Sequence, residues 1–114
     1  MKLVTFEAGQ GPELGLVVDQ SVVCLSRAAP GLAADMTDLI ARWPDLKDEA
    51  SRLAETGESL DLASVHLLAP IRRPGKIMAI GLNYADHAAE GGHARPEYPS
   101  FFMRGPSSMV GHLQ

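Results

Sequence analysis

Three short apolar runs, each cut off by turn-forming residues, fill the first 25 positions and do most to limit what this chain can become. KLVTF is β-prone, AGQGP is a turn cluster, LGLVV is a second apolar run, and DQS turns the chain again before VVCL. Strands this short, separated by Gly, Pro, Asp and Ser, predict an antiparallel meander over residues 2–25. Such a meander is half-buried and must be covered, so the next segment should supply helices.

It does. In DMTDLIARW the residues Met36, Leu39, Ile40 and Trp43 fall at i, i+3, i+4 and i+7, which is one helix face. Asp35 stands at the N-cap position, and Asp38 favours the positive end of the helix. Pro44 breaks that helix and opens a second one at its first turn. There Leu46, Ala50, Leu53 and Ala54 form an apolar stripe, and Asp48, Glu49 and Arg52 pair outside it. Gly57 stands where a C-cap glycine is expected. Packing accounts for all of residues 1–60, and no site is expected in them.

Composition excludes several classes. The chain has 114 residues, 46% hydrophobic and 21% charged, which is a globular balance rather than a disordered one. A net charge of −4 offers no basic stripe for phosphates, so nucleic acid is not the expected partner. The one basic cluster, Arg72, Arg73 and Lys76, is interrupted by Pro74 and Gly75. The single cysteine, Cys24, has apolar neighbours and is expected as a buried thiol. No run reaches the roughly 18 apolar residues of a membrane span, and Glu7 comes too early for a signal peptide. The expectation is a cytoplasmic protein with no membrane partner.

Chemistry gathers later. Residues 61–78 are a transition in which PIRRPGK makes a proline-framed turn, and KIMAIG then reads as a strand ended by Gly81. The expected domains are residues 1–60, a small α+β unit, and 61–114, the start of a different one. Beyond Gly81, Asn83 caps a helix whose first turns carry Tyr84, His87 and Glu90 at i, i+3 and i+6. Imidazole titrates near neutral pH, so His87 is the natural proton acceptor, and Glu90 one turn on can orient it. Gly91 and Gly92 precede HARPEYPS, a polar, proline-punctuated segment long enough to act as a lid. From spacing alone two other readings stay open: a solvated His–Glu surface pair, or two ligands of a metal ion. His66 and His93 have no acidic partner at useful spacing and are read as ordinary residues, while His112, beside Gly111 near the chain's end, is assigned no role.

The stretch LLAPIRRPGKIMAIGLNYADHAAEGG, followed by RPEYPSFFMRGPSSMVGH, resembles the fumarylacetoacetate hydrolase family. The agreement runs in order through Ala69-Pro70, the Pro-Gly-Lys lead-in to a strand, Gly81-x-Asn83-Tyr84-x-Asp86-His87 with Glu90, Pro99 to Phe102, and Pro106-Ser107-Ser108. The resemblance implies an α+β chain: a small N-terminal β-meander with two helices, then the first strands and lid helix of a β-rich roll. It implies a homodimeric, metal-dependent enzyme using Mg²⁺, Mn²⁺ or Ca²⁺ on small β-diketo or oxo-enol acids, as in the breakdown of aromatic compounds. The reaction would be C–C hydrolysis, decarboxylation or keto–enol isomerisation. His87 would be the general base and Glu90 its dyad partner. Asn83 and Tyr84 would bind substrate, and Arg104, where many members have lysine, would hold a substrate carboxylate.

One departure is large. The family's metal is held by a Glu-x-Glu pair and an aspartate well downstream of the histidine, whereas Glu97 is the only acid here after Glu90. No metal ligand is therefore expected within this chain. The chain reads as the N-terminal piece of a longer enzyme, inactive alone, with a non-catalytic fragment or interaction domain as the alternative.

Overall fold

The computed structural model of the chain describes residues 1–84, 86, 90–92 and 97–113. They fall into two units, Met1–Arg72 with Val110–Gln114, and Arg73–Met109.

In the first unit the meander forms as the turn clusters predict. β1 (Lys2–Glu7), β2 (Pro12–Val18) and β3 (Ser21–Cys24) pair antiparallel, with Leu3 opposite Leu16 and Leu16 opposite Val23. Leu25 belongs not to the third strand but to α1 (Leu25–Ala28), a single turn that follows it directly. The two expected helices come next as α2 (Met36–Ala41) and α3 (Trp43–Thr56). The meander then gains a strand on each edge, β4 (Ser59–Asp61) beside β3 and β5 (His66–Leu67) beside β1, giving the order β4-β3-β2-β1-β5. These edge strands carry the first unit past the boundary expected at residue 60, because the sheet is incomplete without them. Leu68 N–H donates to Thr5 O at 2.9 Å and Thr5 Oγ1 donates to Pro70 O at 2.7 Å, so the outgoing chain stays tied to β1.

Period-two alternation sorts the core into two faces. Leu14, Leu16 and Val23 pack with Leu25, Met36 and Leu39, and Trp43, Leu46, Leu53 and Ala54 close over them from the helices. Phe6, Val22 and Cys24 form the other face, covered by Leu60, Leu62, Val65 and Leu67. Gly15 is required there. A Cβ on it would sit 2.5 Å from Val22 Cγ1 and 2.9 Å from the Phe6 ring, so the ring rests in space that any larger residue would fill.

The helices differ from expectation at one joint. Met36 and Leu39 are buried, but Ile40 is 51% exposed and Trp43 lies in the next helix. Pro44 has no N–H to continue the hydrogen-bond ladder, so α2 stops at Ala41 and Arg42 serves as the cap between both helices. Asp35 does cap α2, its carboxylate accepting from Asp38 N–H at 2.9 Å. One connection was not legible from spacing. Glu13, buried on β2, accepts two hydrogen bonds from Arg27 at 2.6 and 2.7 Å, and Arg27 also reaches Glu58 at 3.1 Å. This bidentate pair pins α1 to the sheet.

The second unit is built on a hairpin. β6 (Ile77–Gly81) pairs antiparallel with β7 (Ser100–Arg104), from Ile77 opposite Arg104 to Gly81 opposite Ser100. A 3₁₀ turn at Pro106–Ser108 comes after it, with Ser108 Oγ donating to Gly105 O at 2.8 Å. Among the described residues no helix is long and apolar enough to cross a membrane.

Candidate active-site segment

The expected site begins where β6 ends. Gly81 closes the ladder against Ser100, and Leu82 turns out of the strand with φ +51°. A branched residue in the left-handed region costs about 1–2 kcal/mol, so this strand end is locally strained. Asn83 comes next, exposed, and Tyr84 is 74% exposed. Asp86, Glu90, Gly91 and Gly92 are also at the surface. His87, and with it the His87–Glu90 pairing and the capped helix expected there, lies outside the described residues, as does the 93–96 half of the expected lid.

The chain returns at Ser100. Alternation along β7 puts Ser100, Phe102 and Arg104 on one face, with Gly81, Ala79 and Ile77 opposite them in register. The Arg104 guanidinium lies over the Phe102 ring, 5.9 Å from its centroid. The hairpin thus brings Arg104 onto the same two strands whose ends carry Asn83 and Tyr84. Arg104 pairs with Ile77, at the opposite end of the ladder from Gly81 and Ser100. The other face of the hairpin exposes Met78, Ile80, Phe101 and Met103.

Elsewhere the first unit offers little chemistry. Burial pushes the Cys24 thiol up, and the opposing pull of Arg27 is the smaller effect, so it is a core side chain and no nucleophile. A shallow groove of about 530 Å³ is lined by Met1, Leu3, Ile40, Trp43 and Lys47, which bring no acid–base pair together. Among the described residues, no group of three His, Cys, Asp or Glu side chains could hold a metal ion.

A small α+β unit followed in the chain by a two-stranded antiparallel hairpin defines the class of fold, an α+β chain. Comparison with known proteins gives that class a family. Residues 1–70 match the family model described as Rv2993c-like, N-terminal. The oxaloacetate tautomerase Fahd2a of Rattus norvegicus, a mitochondrial protein, is 35% identical over 116 residues, covering 97% of this chain and 37% of its own length. An HpcE-like protein from Mycobacterium smegmatis superposes with a TM-score of 0.70 at 31% identity, over 97% of this chain and 38% of that one. The fold is shared with maleylpyruvate hydrolase from Sphingobium sp. SYK-6, solved with manganese(II) and pyruvate, at a TM-score of 0.70 and 24% identity over 96% of this chain and 39% of that one. The chain belongs to the fumarylacetoacetate hydrolase family. It spans well under half the length of the relatives it matches.

Proposed function

We propose that this chain forms the N-terminal part of a family enzyme that interconverts the keto and enol forms of a small oxo acid, with residues 73 onward beginning its catalytic domain. The observation that carries this reading is the match to an oxaloacetate tautomerase along 97% of the chain, which runs through the Gly81–Gly92 segment. A cytoplasmic homodimer completes the proposal.

The chemistry asks for one proton to change places. In ketonisation the enol O–H bond breaks, its electron pair forms the C=O bond, and the C=C pair takes a proton at the neighbouring carbon. His87 is assigned the proton transfer, because neutral and protonated imidazole are both populated near pH 7. Glu90 orients the ring and favours its charged form. Asn83, Tyr84 and Arg104 are assigned to the substrate, Arg104 holding a carboxylate through its planar fork of donors. A divalent ion (Mg²⁺, Mn²⁺ or Ca²⁺), when bound, supplies positive charge to the oxygens. Its ligands are proposed to come from polypeptide outside this chain, and no proton step above is routed through it.

A chimera tests the assignment. The matched N-terminal segment of the rat tautomerase is replaced by these 114 residues, and decay of the enol's ultraviolet absorbance of oxaloacetate is followed. Turnover is expected, and His87→Ala in the chimera should lower kcat about 100-fold or more while manganese binding persists. A folded, metal-loaded chimera without turnover would sink the function, and undiminished turnover in His87→Ala would sink the role of that histidine.

A further inference from the structure

We propose that Leu82 is a positioning residue: its left-handed backbone fixes the direction in which Asn83 and Tyr84 leave β6. The proposal rests on the reading of those two residues as substrate-binding and deepens it. Three non-glycine residues have positive φ among the described residues. Asp19, at φ +50°, turns the chain between β2 and β3 and is of a type whose short polar side chain tolerates that region. Leu113, at φ +63°, belongs to no strand or helix and precedes no candidate residue. Leu82, at φ +51°, follows the last rung of a ladder directly and precedes two candidate residues. The glycine beside it does not do the turning. Gly81 is not among the glycines with positive φ, and a Cβ there would meet Ser100 O at 3.6 Å and Ser100 Cβ at 3.7 Å, which is ordinary contact. The strand therefore exits through a leucine, although a residue free of the left-handed cost stands one place earlier.

Strain of this kind persists only where the surrounding structure over-determines the backbone, and it gathers at sites that need a preset geometry. Leu82 is half-buried, whereas Asn83 is exposed and Tyr84 is 74% exposed. The anchored residue and the two presented ones are thus consecutive. For leucine the left-handed region is one small basin, so a leucine held there leaves the exit little freedom. Glycine populates both signs of φ and would spread the exit over several directions. Asparagine tolerates the left-handed region but lacks leucine's apolar side chain. These two replacements therefore separate a backbone role from a packing role.

The test compares Leu82→Gly with Leu82→Asn for backbone order and for turnover. In the nitrogen-labelled 114-residue chain, coupling and Overhauser data should place residue 82 at positive φ in the parent and in Leu82→Asn. Leu82→Gly should lower the heteronuclear Overhauser values of Asn83 and Tyr84 while those of β6 stay unchanged, and Leu82→Asn should keep all of them. In the chimera, Leu82→Gly should raise KM for the enol about three- to tenfold with a smaller change in kcat, and Leu82→Asn should keep the parent's KM. Equal losses in both variants would show a packing role, and no loss in Leu82→Gly would show that the exit needs no constraint; either result overturns the proposal. A parent chain with residue 82 at negative φ overturns it as well. A chimera without turnover, in a chain whose order at Asn83 and Tyr84 still follows the glycine–asparagine pattern, would sink the tautomerase reading and leave the fixed exit standing.

Discussion

Replacing Gly57 with alanine sets two effects of known sign against each other. Gly57 ends α3, its N–H donating to Leu53 O at 2.7 Å, with φ −74° and ψ 157°. That backbone suits any L-residue, so a helix-end glycine in the left-handed region is not what holds this position. On conformational grounds alone, Gly→Ala should stabilise by about 0.4–1 kcal/mol through the unfolded chain. Space decides otherwise. The added Cβ would lie 2.6 Å from Leu53 O and 2.7 Å from Val23 Cγ1, and Val23 is only 3% exposed in the core. The carbonyl belongs to the last turn of α3 and cannot rotate away without breaking its own hydrogen bond. Overpacking of this kind costs about 1–3 kcal/mol, so the net loss is about 1 kcal/mol or somewhat more. For a domain of this size that lowers Tm by about 4–8 °C per kcal/mol. Urea and thermal melts followed by the fluorescence of Trp43, the single tryptophan, measure it directly. A midpoint equal to or above that of the parent would refute the reasoning, because it would show that the α3–β4 corner yields without cost.

Three further outcomes rest on the same packing and on the same chain's acids. Arg27→Met should lower the urea midpoint more than Glu58→Gln does, because only the former strands Glu13, whose side chain is 9% exposed, whereas Glu58 is 59% exposed. Asp38 is held below its ordinary 3.8, chiefly by the Ala34 N–H and then by Arg42, so its contribution is present above that value and lost as pH falls through the depressed one. Asp38→Asn should therefore be less stable than the parent at pH 7, with the two melting curves converging below about pH 4. Isothermal titration of the 114-residue chain with Mn²⁺ or Mg²⁺ should show no tight stoichiometric binding, and a tight one-to-one isotherm would contradict the assignment of the metal ligands elsewhere.

What the sequence makes legible here is what local rules govern. Turn clusters place β1 to β3, a side-chain oxygen at Asp35 starts α2, and Gly81 ends β6, all from contacts within a few residues. The misses are long-range. Glu13 and Arg27 are 14 positions apart and meet only because α1 folds back on β2. β5 is two residues long and exists only as an edge of β1, so no periodicity could announce it. Ile40 fits the helical stripe yet is 51% exposed, and Trp43, the stripe's last member, lies across the break that Pro44 makes. Gly57 is the instructive case, since the position is right and the cause is different. The same division runs through the site. The order of Asn83, Tyr84 and Glu90 after a strand end is local and readable, whereas the pairing that sets Arg104 on their sheet is not.

That pairing also bears on where the proposed site residues stand in the chain. A hairpin usually closes with a connection of two to five residues. Here the strands are in register up to Gly81 and Ser100, yet everything from Leu82 to Pro99 is spliced between them. The sheet pins both ends of a long segment at one ladder rung, so the cost of bringing its ends together is met by β6 and β7 rather than by the segment itself. Leu82 shows the strain of the exit, a branched residue at φ +51° directly before Asn83. A backbone held in that conformation aims Asn83 and Tyr84 in a set direction, which a glycine at position 82 would not enforce. The proposed site residues Asn83 and Tyr84 thus follow a strained exit from the strand whose pairing partner, β7, carries Arg104.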